Sequence, residues 1–207
     1  MSGLSPFTVL HVCMGNICRS PMAERLLVLA AEHRVGGGKA DLLLHSHGAG
    51  TAGWHHGDRM DPGAARQVRM RGGDPEQFRA RRLLPEHVEA SDLVLTATAE
   101  QAEFVEQLVP DASGRVFVLG EFGRLLRSVD LTGLPPFTPE PDAVFARGVA
   151  LVAAVEAVRA GRGPEITDDL YDPWGSGDRV FARVADEIEE TVVPLAAALL
   201  AGANDRA

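Results

Sequence analysis

Among 207 residues there is a single lysine, Lys39, so nearly all the positive charge is arginine, and the formal net charge is −9. A nucleic-acid partner needs clustered excess Lys and Arg, and that balance excludes one. There are only two cysteines, Cys13 and Cys18, too few and too close for the disulfide framework of a small secreted domain. They point instead to chemistry or to metal. The early apolar stretch from Phe7 to Cys13 has no basic flank and is too short for a secretory signal core, so a cytoplasmic protein is expected. The longest apolar run, Val192 to Ala203, falls short of the roughly 18 residues of a membrane span, so no membrane partner is expected either. No internal repeat occurs.

What is present is an ordinary globular balance, 45% hydrophobic and 24% charged. At this length one core is the starting expectation, a single domain over 1–207 with its core at about 7–200. Phe7 to Val12 is apolar and β-branched and predicts a buried first strand ending at Cys13. Pro21 suits a first helical position, and Met22, Leu26, Leu27, Leu29 and Ala30 supply an apolar face up to about Arg34, before "GGGK" closes the helix. Leu42 to Leu44 predicts a second strand, followed by the glycine-rich loop "SHGAGTAGWHHGDRMDP".

A helix over Pro62 to Arg71, a third strand within Ser91 to Thr98 and a fourth within Gly114 to Phe122 follow. Helical periodicity resumes over Asp142 to Ala160 and again from Asp178, with Pro194 expected to kink or shorten the last helix. The proline-rich stretch at about 128–141 predicts a mobile surface insertion. Strand, loop and helix in alternation predict an α/β fold: one short parallel sheet of about four strands with helices on both faces.

The segment "HVCMGNICRSP", His11 to Pro21, carries the chemistry. A loop leaving a parallel strand and entering a helix turns backbone N–H groups and the positive helix end into one concavity, an anion cradle. The nucleotide-binding loop needs Gly-Lys-Ser/Thr at its end, and here Arg19 and Ser20 stand instead. Cys13 at the base of such a loop has its thiolate stabilised by the amides, the helix end and the guanidinium, and becomes a nucleophile. The planar fork of Arg19 suits a tetrahedral oxyanion better than a lysine would. Ser20 can donate to the thiolate, and Asn16 tolerates the left-handed backbone that such a turn uses.

"CMGNICRS" resembles the signature loop of the low-molecular-weight protein tyrosine phosphatases: Cys, five residues, Arg, Ser or Thr, with Gly-Asn and a second Cys inside. "LYDPWGSG" at Leu170 to Gly177 resembles that family's Asp-Pro loop, and "GAGTAGWHHGDRMDP" and "FRARRL" resemble its middle segments, so the likeness runs from about Val9 to Ile188. The resemblance implies hydrolysis of phosphomonoesters, foremost protein phosphotyrosine or a small aryl phosphate, through a phosphocysteine intermediate. Cys13 is then the nucleophile, Arg19 the oxyanion grip and Asp172 the general acid. Met14, Gly15, Asn16, Ile17, Cys18 and Ser20 form the substrate-binding loop, and no cofactor or metal is implied. The resemblance also implies that Cys18 can protect Cys13 as a disulfide partner; a purely structural Cys18 is the alternative.

Where the family commonly has tyrosines after Asp-Pro, this chain has Trp174, Gly175 and Ser176. Trp174 and Trp54 are candidate aromatic walls of the cleft, with core packing as the plainer reading. Asp172 has a plainer reading too, as the start of a turn. Cys13 and Cys18 have a spacing compatible with zinc, with His45, His47, His55 and His56 available, but Arg19 would crowd a cation. Arg79, Arg81 and Arg82 are expected on a solvated, salt-bridged face. Two rival functions share the loop. Arsenate reduction would need an external thiol, since there is no third cysteine; a non-catalytic phosphoprotein or oxyanion-binding module would have no use for Asp172. Oligomeric state is not set by the sequence.

Overall fold

The computed structural model describes residues 6–36 and 38–200. Four strands, β1 (Phe7–Cys13), β2 (Leu44–Gly50), β3 (Leu93–Thr96) and β4 (Val116–Val118), form one parallel sheet in the order β2-β1-β3-β4. Along β1 the side chains alternate between two cores, as the twofold period of a strand requires. Phe7 and Val9 join the larger one, and Leu10 and Val12 the smaller.

Helices cover both faces. The larger core is closed by α1 (Arg19–Val35), α3 (Pro62–Met70), α6 (Leu119–Leu126), α7 (Pro141–Arg159) and α8 (Asp178–Leu200). The smaller one is closed by α4 (Pro85–Glu89) and α5 (Ala99–Leu108), which contribute Val88 and Val105. This is the single α/β domain expected from the alternating pattern.

Three local expectations are corrected. The second strand does not lie at Leu42 to Leu44, because Leu42 and Leu43 end the short helix α2 (Ala40–Leu43). The strand is the polar, glycine-rich "LHSHGAG" itself, paired residue for residue with β1 from Phe7↔Leu44 to Cys13↔Gly50. Its glycines answer a close approach: a Cβ at Gly48 would stand 2.8 Å from Asn16 Nδ2, and one at Gly50 2.6 Å from the Met14 carbonyl. Helix α1 begins two residues before Pro21, which places Arg19 and Ser20 in its first turn, where a proline at the third position costs no internal hydrogen bond.

Pro194 does not shorten α8, which continues to Leu200. Glu190, whose carbonyl loses its helical partner to the proline, is an exposed residue, and Leu195, Ala196 and Leu199 remain fully buried beyond it. In the proline-rich stretch, a short 3-10 turn at Leu131–Gly133 precedes Leu134 and Phe137, which pack on the larger core. The Arg147 guanidinium donates to the carbonyls of Pro135 and Ala198, joining that stretch to the end of α8.

Candidate active site

Parallel strands place their carboxyl ends on one edge, and the site lies there. β1 delivers Cys13 to that edge, residues 14–18 turn, and the amino end of α1 faces back into the turn. Asn16 takes a left-handed backbone, φ 53°, and is fully buried. Its Oδ1 accepts the Arg81 N–H at 2.9 Å, and its Nδ2 donates to Ser20 Oγ at 2.8 Å. Ser20 Oγ lies 3.0 Å from Cys13 Sγ. With Asn16 donating to its oxygen, Ser20 keeps its proton free for the sulfur, which it meets when Cys13 is a thiolate. The Asn16 N–H adds a second contact to Sγ at 3.3 Å.

Arg19 is 4% exposed. Its Nη1 donates to the Leu170 carbonyl at 3.2 Å, and its Nη2 meets Asp172 Oδ2 at 2.6 Å. Its Nε is buried with no partner. A buried guanidinium with a spare donor beside a cysteine is the arrangement an oxyanion completes. Asp172 is half-exposed, and its Oδ1 accepts the Trp174 N–H at 3.2 Å. Asp172 therefore starts a turn, as Asp-Pro commonly does, and faces the loop as well.

Around this pair is a cavity of about 170 Å³, lined by the loop from Cys13 to Arg19 without Asn16, by Trp54 and His55, and by Asp172 and Trp174. The two tryptophans are 72% and 67% exposed, which excludes the core-packing reading for both. Asn16 and Ser20 sit behind the sulfur rather than in the cavity. Cys18 lines it as a free thiol, and so is Cys13. Burial, reinforced by Asp61, Cys13 and Asp172 against Arg19, pushes the Cys18 thiol well above the ordinary range. At neutral pH Cys18 is an uncharged, apolar neighbour.

Two contributors escape a sequence reading. His55 lines the cavity, packs on Gly15 and pairs through Nδ1 with Asp58 at 2.9 Å. Arg81 is not on a solvated, salt-bridged face. Half-buried, it donates through Nε to the Gly48 carbonyl at 2.7 Å and through Nη2 to His47 Nδ1 at 2.7 Å, while its N–H holds Asn16. The only signal for Arg81 is its place in "FRARRL".

Beneath the loop lies a polar layer. With Nδ1 accepting from Arg81, His47 carries its proton on Nε2 and donates to Ser91 Oγ at 3.0 Å, and Ser91 donates to the His87 carbonyl. Burial, then Arg81 and the neighbouring histidines, lower His47 to about 3; burial alone lowers His11 to about 3. Burial raises Glu24, under Gly48, to about 7. His45 stacks on His47 at 5.2 Å, away from the cavity. Among the described residues no group of three or more His, Cys, Asp or Glu is placed to hold a metal ion.

The sequence model described as "Low molecular weight phosphotyrosine protein phosphatase" matches residues 8–147. The chain belongs to that family. It is 39% identical over 125 residues to low molecular weight protein-tyrosine phosphatase A of Mycobacterium tuberculosis, covering 60% of this chain and 68% of that protein. It is 31% identical over 170 residues to a low molecular weight protein-tyrosine-phosphatase of Streptomyces coelicolor, covering 75% and 98%. The fold is similar to that of a YwlE mutant from Bacillus subtilis, with a TM-score of 0.63 at 22% identity over 92% of this chain and 96% of that one. This family is one of cysteine-dependent phosphatases, so the chain is an enzyme of that kind. The family match stops at residue 147, and Asp172 enters the site through its contact with Arg19 instead. Among the described residues no helix is long and apolar enough to cross a membrane.

Proposed function

We propose that this chain hydrolyses phosphotyrosine in protein substrates through a phosphocysteine intermediate. The observation that carries the reading is the buried Arg19 guanidinium, with Nε unpaired and Nη2 on Asp172, beside a cysteine whose sulfur is met by a hydroxyl and an amide. Nucleophile, anion grip and acid share one cavity.

The Cys13 thiolate attacks phosphorus in line, and Arg19 with the loop amides holds the equatorial oxygens. The arriving phosphate takes over Arg19 Nη2, which releases Asp172 toward the ester oxygen. Asp172, protonated in the reactive complex, gives its proton to the departing phenolate. It then takes one from the water that cleaves the phosphorus–sulfur bond. Ser20 and Asn16 are positioning residues that steady the sulfur.

Trp54 and Trp174 provide aromatic surface for a tyrosine ring, and a seryl ester is too short to carry its phosphate to Cys13 between them. Cys18, lining the same cavity, is the partner with which Cys13 would form a protective disulfide on oxidation. A chemistry that needs Cys13 as a free thiol suits the reducing cytoplasm, where we place the protein. We also read 128–141 as an insertion within one domain.

The test compares aryl, tyrosyl and seryl phosphates in the wild type and in Cys13→Ser. Hydrolysis of the first two only, abolished by the substitution, is expected. Arsenate turnover dependent on added thiol, or phosphopeptide capture without release of phosphate by the wild type, would replace this reading.

A further inference from the structure

Beside the catalytic cavity, on the far side of Met14, runs a second groove of about 250 Å³. Met14, 42% exposed, lines both, and Thr51 anchors the groove to the site by donating its N–H to the Cys13 carbonyl at 2.9 Å. The opposite wall is the outer face of α5. Glu100, Glu103, Phe104 and Gln107 recur there at helical spacing, while Val105 turns to the smaller core.

Three features of that wall point to one kind of occupant. Glu100 and Glu103 bring two carboxylates; Glu103 Oε1 accepts from Gln107 Nε2 at 3.2 Å, and among the described residues neither carboxylate is in a salt bridge. Phe104 leaves 42% of its surface in the open. Gln101 lines the groove too, is only 6% exposed, and its buried carboxamide oxygen accepts no hydrogen bond. A buried acceptor without a donor, an open ring and two uncompensated carboxylates all suit a long side chain with an apolar stem and a cationic, hydrogen-donating head.

We propose that this groove is a substrate subsite for an arginine or lysine flanking the phosphotyrosine of a peptide, its stem on Phe104 and its head between Glu100, Glu103 and the Gln101 oxygen. This deepens the phosphotyrosine reading and rests on it. An extended peptide advances about 3.3–3.6 Å per residue, so the cation belongs within a few positions of the phosphotyrosine.

The experiment measures kcat/KM for phosphotyrosyl peptides carrying Arg, Ala or Glu at each position from three before to three after the phosphotyrosine. A small aryl phosphate serves as reference. At one or more positions, Arg is expected to exceed Ala by about tenfold and Glu by more, as a charge-assisted contact in a half-open groove allows. The preference should shrink with salt. Glu100→Gln with Glu103→Gln should remove it and leave the aryl phosphate rate within about twofold, the charge lying outside the reacting atoms. Equal rates for Arg and Ala peptides in the wild type would overturn the subsite while leaving the phosphatase reading intact, as would a preference that survives the double substitution. Absence of any aryl or tyrosyl phosphate hydrolysis would overturn both.

Discussion

Asn16 is where the loop is most exposed to test. Its side chain makes two buried hydrogen bonds, to Ser20 Oγ at 2.8 Å and from the Arg81 N–H at 2.9 Å, on a left-handed backbone. Asn16→Ala removes both bonds, at about 1 kcal/mol each, and puts a Cβ-bearing residue without local compensation at φ 53°, for about 1 kcal/mol more. The expected loss of stability is about 3 kcal/mol. Asn16→Gly loses the same bonds but relieves the backbone, so it should be the milder of the two by about 1 kcal/mol. Urea denaturation at neutral pH measures both.

The same variants should lower kcat because Ser20 loses the hydrogen bond that holds its hydroxyl beside Cys13 Sγ. A drop of about tenfold, or ~1.4 kcal/mol, with a smaller change in KM is expected from aryl phosphate kinetics. If Asn16→Ala unfolds within 0.5 kcal/mol of the wild type on the order-of-magnitude scale of a surface substitution, or if Gly is as costly as Ala, the assignment of Asn16 as the brace of the loop is wrong.

Asp172→Ala should slow hydrolysis strongly for alkyl-like leaving groups of high pKa and weakly for a good aryl leaving group; equal losses for both, in a leaving-group series, would remove the acid role. Gly50→Ala would drive a Cβ to 2.6 Å from the Met14 carbonyl, against loop backbone rather than a flexible side chain, and should cost both stability and turnover, seen in the urea midpoint and kcat. For pH, His11 and His47, lowered to about 3 from 6.5, bind fewer protons folded than unfolded, so their contribution is complete above 6.5 and lost as pH falls toward 3. Glu24, raised from 4.5 to about 7, works in the opposite direction and gains stability on acidification from 7 to 4.5. Two histidines outweigh one carboxyl, so urea midpoints should fall between pH 6.5 and 4.5 and more steeply below; His11→Gln with His47→Gln should flatten that fall, and an unchanged slope would contradict the buried neutral histidines.

The catalytic loop was legible because its chemistry is local. Cys13, Asn16, Arg19 and Ser20 lie within one turn, and strand-to-helix geometry explains why those residue types stand there. β1, β3 and β4 were legible from their apolar runs. β2 was not, since "HSHGAG" lacks the β-branched residues that mark a strand, and its glycines reflect the approach of the phosphate loop from the neighbouring strand, a contact between residues more than thirty apart. Arg81 was misjudged for the same reason. Its partners Asn16, His47 and Gly48 lie 65, 34 and 33 residues away, and a charged residue held by carbonyl and imidazole looks in sequence like one facing water. His55 and the groove on α5 are products of packing alone.

The central claim is that Cys13 carries phosphate during turnover. Rapid mixing of Asp172→Ala with an excess of an aryl phosphate having a good leaving group, quenched and mapped by mass spectrometry, tests it directly, since loss of the base should slow release of the intermediate. A burst of about one equivalent of phenol per active site with phosphate on Cys13 is expected, and Cys13→Ser should show no turnover. Phosphate on another residue, or steady hydrolysis by Cys13→Ser, would contradict the account.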